Sequence, residues 1–133
     1  MAAWTHRRFF DLLGRLGPLR VISICGPSVF EALCRFGPHG FARGHMNAMT
    51  PAYHWHVNLG EFRHVASRDE IHERSGRRVL FLLLSEGAEA EPFLRVYVHR
   101  EKGAEFEPEC EKAFLEAHAE LAAGVDLVCD GGD

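Results

Sequence analysis

Two histidines one residue apart, His54 and His56 in the segment AYHWHVNLG, are the residues best placed for chemistry, because side chains two apart on a strand project from the same side. Imidazoles set this way suit a transition metal or one side of a flat, metal-bearing ligand. His45 and Met49 alternate onto one face of HMNAM, so pairing of the two segments as a hairpin would gather His45, Met49, His54 and His56. The plainer alternative is a polar, solvated strand face, and methionines such as Met46 and Met49 more often fill cores. Arg43, Arg63, Arg78 and Arg95 are the basic side chains expected to border the region, where guanidinium forks would grip carboxylate arms. Taken singly, each is an ordinary surface charge. His6 and His72 read as solvated and His118 as packed or at a rim, while Cys25, Cys34, Cys110 and Cys129 read as small buried apolar residues.

Composition narrows what these residues can serve. The chain has 133 residues, 47% hydrophobic and 26% charged, which suits one globular domain over 1–133, with a loosely ordered tail from about residue 124. Fifteen basic residues face nineteen acidic ones, a formal charge of -4, and no basic block tracks a phosphate backbone, so nucleic acid is not an expected partner. The longest apolar run, VLFLLL, falls far short of the roughly 20 residues that span a bilayer. Four scattered cysteines without a C-x-x-C pair, and a start lacking a secretory leader pattern, point to a reduced, cytoplasmic protein. No phosphate-cradling glycine loop and no G-x-S-x-G elbow is present, which argues against nucleotide chemistry and serine hydrolysis. The glutamates around the last helix read as a helix start and a solvated face.

The elements that must position the histidines follow from periodicity and punctuation. A helix is expected from about Trp4 to Leu16, stopped by Gly17-Pro18, and LRVISIC and SVFEALCRF read as strands about a Gly26-Pro27 turn. FGPHGFARG reads as a loop leading to HMNAM. In the segment that follows, Tyr53, Trp55, Val57 and Leu59 take the packed face and His54, His56 and Asn58 the other. FRHVASRD, RRVLFLLLS and FLRVYVHR read as further strands, the last presenting Phe93, Arg95, Tyr97 and His99 on one side. A closing helix runs from Pro108 to Ala123, with Gly124 at its exit and Cys110, Phe114, Ala117, His118 and Leu121 as its inward stripe. The outcome is an α+β fold: a large antiparallel β-sheet flanked by an N-terminal helix and a C-terminal helix. Two helices cover only part of such a sheet, so a ligand or a second copy is expected on the rest.

The phrases GHMNAMTPAYHWHVN, RRVLFLLLSEGAEAEPFLRVYVHRE and EPECEKAFLEAHAEL, with the order of elements from about Trp4 to Leu121, resemble the bacterial heme-utilisation carriers of the HutX, ChuX and HemS type. The resemblance implies an α+β fold with a large antiparallel sheet, a homodimer, and cytoplasmic binding or handover of heme. By motif, His56 in His56-Val57-Asn58 falls where such carriers have a heme-associated histidine. The chain departs from the pattern at Cys25-Gly26-Pro27, where carriers of this kind can show a second histidine, and at His99, which precedes Arg100 in place of a small residue. Taken with the reading of the residues, this makes His56, His54, His45, Met49, Arg43, Arg95 and Tyr97 the expected heme contacts, with His56 or His54 approaching the iron. Two other functions compete with a non-enzymatic carrier. One is a cupin-like mononuclear metal protein using His54, His56 and Glu61, although Ala48 and Arg68 stand where that motif has glycines. The other is a dimeric scaffold that binds nothing.

Overall fold

The structure is a computed structural model that describes residues 2–130. The chain begins with helix α1 (His6–Gly14), whose N-cap Thr5 accepts the Arg8 backbone N–H on its hydroxyl at 3.1 Å. Phe9, Phe10, Leu12 and Leu13 of α1 are buried, so the helix turns one apolar stripe onto the sheets. Strands β1 (Pro18–Cys25) and β2 (Ser28–Arg35) then form a hairpin closed by Gly26-Pro27, with Gly26 in the left-handed region that its lack of a Cβ permits.

Three short strands follow: β3 (His39–Ala42), β4 (His45–Met49) and β5 (His54–Asn58). Next come β6 (His64–Ile71), β7 (Arg78–Ser85) and β8 (Leu94–Val98), then helix α2 (Pro108–Leu121) and a two-residue strand β9 (Val125–Asp126). The fold is α+β and its sheets are antiparallel.

The expected large antiparallel sheet is present, with six strands in the order β2-β1-β8-β7-β6-β9, and a second, unexpected sheet of three strands, β3-β4-β5, stands beside it. The segment FGPHGFARG, expected as a loop, contributes β3, which pairs with β4 through Gly40 opposite Asn47 and Phe41 opposite Met46. Its glycines and proline hid a strand whose stability comes from the neighbour it pairs with. The tail expected to be loose from residue 124 instead lays Val125 and Asp126 against Val65 and His64, with a further bridge from Val128 to Thr5. Residues 131–133 of that tail lie outside the described residues.

One core joins both sheets to the helices. Leu80, Leu82, Leu84, Leu94 and Val96 present the inner face of the large sheet, Met46, Ala48 and Val57 that of the small one, and Phe10 and Phe62 lie fully buried in the same cluster. Each of these side chains other than Ala48 stabilises the fold by about 1.5–3 kcal/mol on burial. His6, expected in solvent, is 1% exposed and its Nε2–H donates to the Phe62 carbonyl. It lies on the buried stripe of α1, which one histidine between polar neighbours does not reveal. The cysteines also depart from expectation: Cys25 and Cys129 are exposed, and Cys34 and Cys110 are only half-buried.

Helix α2 is tied down at its start by Arg78, which donates to Asp69 at 2.8 and 2.9 Å and to Glu111 of the helix. The hydrogen bonds from Arg78, opposed in part by desolvation, hold the Asp69 carboxyl below the ordinary carboxylate range. A carboxyl lowered on folding contributes stability that is present above the unfolded value and lost as pH falls through the folded one. Asp69→Asn is therefore expected to remove about 1 kcal/mol or less near neutral pH, the pair being partly exposed, and to flatten the decline in stability below about pH 4. Urea unfolding at pH 7 and pH 3 measures both; a variant as acid-sensitive as the parent would remove Asp69 from this role.

Candidate functional site

The register of the small sheet sets the histidines. Asn47 lies opposite His56, Met49 opposite His54 and His45 opposite Asn58, so the face expected from alternation forms, with His45, Met49, His54 and His56 all on it. His54 and His56 are exposed with ring centroids 6.2 Å apart at 87°, while Val57 is buried and Trp55 half-buried behind them. Met46 is in the core, and Met49 is 59% exposed at the turn end of the hairpin, opposite His54.

The tautomer of His56 is set by its partner. Its Nδ1 lies 2.7 Å from the Asn47 side-chain oxygen, and the Asn47 amide nitrogen donates to the His45 carbonyl at 3.3 Å, which orients that oxygen toward the imidazole. The His56 proton is therefore on Nδ1, and the Nε2 lone pair is available to a metal. His45 is held the same way, with Nδ1–H donating to the Arg43 carbonyl at 2.9 Å. His54 and His56, neighbours on one strand face, approach any bound metal from one side, so they offer one axial ligand at a time.

Because β5 is the free edge of its sheet, a space opens between it and the inner face of the β1–β2 hairpin. This cleft measures 630 Å³, within the range of ligand pockets. Val21, Ala32, Cys34, Trp55, Phe93 and Leu94 are among its walls, and His54 and His56 belong to its lining. Phe30 stands at the cleft 70% exposed, an aromatic surface that a ligand would cover. Burial raises the Cys34 thiol, so it is a neutral wall residue.

Tyr53 holds the two sides of the cleft together, a role its place on the packed face of a strand did not disclose. Its hydroxyl donates to the Arg35 carbonyl at 2.7 Å and accepts the Gly37 N–H at 3.2 Å, joining the start of β5 to the end of β2. Burial pushes the phenol up, so it stays a donor across the working range.

The expected cations lie elsewhere. Arg43 is in the β3–β4 turn, Arg63 donates to the Gly60 carbonyl at 2.8 Å, and Arg78 is committed to Asp69 and Glu111. Arg95 and Tyr97 project from β8 opposite to Leu94, whose side chain faces the cleft, and Tyr97 stacks on Phe81 at 4.6 Å. The cleft is lined instead by Glu61, Glu86 and Glu91, with no lysine or arginine. A second groove, of 470 Å³ on the outer face of the large sheet, gathers Arg20, Arg77, Arg100 and Lys102 beside Tyr97 and His99. Its Arg100 donates to the Arg78 carbonyl at 2.8 Å and lies 4.1 Å over the Phe106 ring.

Among the described residues no three His, Cys, Asp or Glu side chains are placed to hold a metal ion, so His54, His56 and Glu61 do not make a cupin-like centre. Glu61 instead accepts the Asn58 side-chain amide at 3.0 Å. No helix among the described residues is long and apolar enough to cross a membrane.

No protein-family model matches the chain, and no curated protein matches it by similarity. Solved structures do. ChuX superimposes with a TM-score of 0.73 at 16% identity, over 86% of this chain and 71% of its own. A second structure, of ChuX described as a heme binding protein, gives 0.73 at 15% identity over 87% and 72%. A protein from Agrobacterium tumefaciens gives 0.73 at 16% identity over 86% and 66%. The chain thus has the ChuX-like α+β fold.

Proposed function

We propose that the chain is a heme-utilisation-type carrier that binds a metallated tetrapyrrole in the cleft between β5 and the β1–β2 hairpin, without turning it over. The observation carrying this reading is the free Nε2 of His56, fixed by Asn47 beside an aromatic-walled cleft of suitable size. The likeness to ChuX, described as a heme binding protein, supports the choice of ligand. A flat macrocycle asks for an apolar wall and an axial imidazole, and Trp55, Phe93, Phe30 and His56 or His54 supply both. It also asks for partners to its two propionates, and there the cleft does not fit, because its charged residues are glutamates. Residence in the cytoplasm and pairing of two copies belong to the same proposal.

Addition of hemin to the purified chain is expected to give a saturable, red-shifted Soret band. His54→Ala combined with His56→Ala is expected to abolish the shift and weaken binding by about 10- to 100-fold, the loss that follows disturbance of a metal-holding imidazole. An unchanged titration and spectrum in the double variant would remove these two residues from the site. A second reading seats the macrocycle in the outer groove, where His99, whose Nε2 lies 3.5 Å from the Glu101 carboxylate, would hold the iron and Arg100 would meet a propionate. That seat requires His99→Ala, and not the β5 double variant, to abolish the spectral shift.

A further inference from the structure

We infer that the cleft takes its macrocycle with the carboxylate edge turned out to water and prefers a tetrapyrrole whose edge carries no negative charge, an inference that rests on the cleft being the ligand seat. Glu61, Glu86 and Glu91 are all exposed members of the cleft lining, which contains no lysine or arginine. Glu86 and Glu91 have no hydrogen-bond or ion-pair partner among the described residues, and the only side-chain partner of Glu61 there is the neutral amide of Asn58. Three exposed carboxylates without a cationic partner among the described residues therefore line the cleft. A propionate carried inward would pass them and arrive among Val21, Ala32, Trp55 and Leu94, where no cation receives it.

The cations that would welcome it lie along the groove on the opposite face of the large sheet, at Arg20, Arg77, Arg100 and Lys102. The chain as a whole is also acidic, with a formal charge of -4, so its long-range field does not offset the local one. An uncharged edge escapes this repulsion and leaves apolar contact and the imidazole as the terms that decide affinity.

The test compares hemin with hemin dimethyl ester, titrated into the full chain in one detergent-containing buffer at low salt and at 1 M salt. The ester is expected to bind about five- to tenfold more tightly at low salt, the effect of one or two solvent-screened charge pairs, with the gap closing at 1 M where the Debye length is about 3 Å. Glu61→Gln, Glu86→Gln and Glu91→Gln combined are expected to raise hemin affinity to that of the ester; the substitutions are isosteric and exposed, and circular dichroism checks the fold. Hemin binding as tightly as the ester or more tightly, or an affinity ratio unmoved by the triple variant, overturns the inference. A hemin preference abolished by Arg100→Ala overturns it in favour of the basic groove. Absence of saturable binding by both compounds overturns the ligand reading itself, and the inference with it.

Discussion

Phe10→Ala is expected to lower the stability of the chain by about 3–5 kcal/mol, the range for truncating a fully buried aromatic. The ring is inaccessible to solvent and packs against others from α1, the small sheet and the segments beside them: Phe9 at 5.1 Å, Phe36 at 5.6 Å, Phe62 at 5.9 Å, Phe41 at 6.1 Å and Trp55 at 6.4 Å between centroids. Removing it leaves a cavity where α1 meets the small sheet, and the surrounding rings, already close-packed, relax only in part. Because Trp55 is both a neighbour of Phe10 and a wall of the cleft, the same change should loosen the hold on a macrocycle. Urea unfolding of parent and variant measures the first effect and hemin titration below the transition the second. A loss under about 1 kcal/mol would mean that the small sheet is held by other contacts.

Gly124→Ala is expected to cost about 2–4 kcal/mol, from a left-handed backbone that alanine resists and from overpacking. Gly124 has φ +85°, and a Cβ there would lie 2.6 Å from Nε2 and 2.9 Å from Cε1 of His64. The imidazole has little freedom to yield, because its Nδ1 is 3.0 Å from the Asp126 carboxylate and His64 pairs with Asp126 in the β6–β9 ladder. The two contributions separate in a double-mutant cycle with His64→Ala, which removes the clash and leaves the backbone strain. Thermal unfolding of the four proteins reads the cycle. If the loss is the same with and without the His64 ring, the steric part of the account is wrong.

Much of the scaffold was legible because it is written in local periodicity. Tyr53, Trp55, Val57 and Leu59 alternate against His54, His56 and Asn58, and the observed burial of β5 follows that pattern. The hairpin about Gly26-Pro27, the strand VLFLLL and the helix from Pro108 carry punctuation that acts within a few residues, and each stands where expected. Pairing of β4 and β5 placed His45, Met49, His54 and His56 on one face, of which His54 and His56 line the cleft.

What failed was long-range. FGPHGFARG looked like a loop because its glycines and proline weaken any strand taken alone, and only pairing with β4 makes it one. His6 looked solvated because its burial depends on Phe62, fifty-six residues away.

The residue types, their alternation along each strand and the stops at glycine and proline determined the α+β class and the histidine-bearing face. The tertiary structure decided that the strands divide into two sheets, that the free edge of β5 opens a cleft against the β1–β2 hairpin, and that glutamates line it while arginines gather behind the large sheet. The physical reason is range. Side-chain direction repeats every two residues on a strand and is fixed by local backbone sterics, whereas the company a side chain keeps depends on pairings between segments far apart in the chain, which no short stretch encodes.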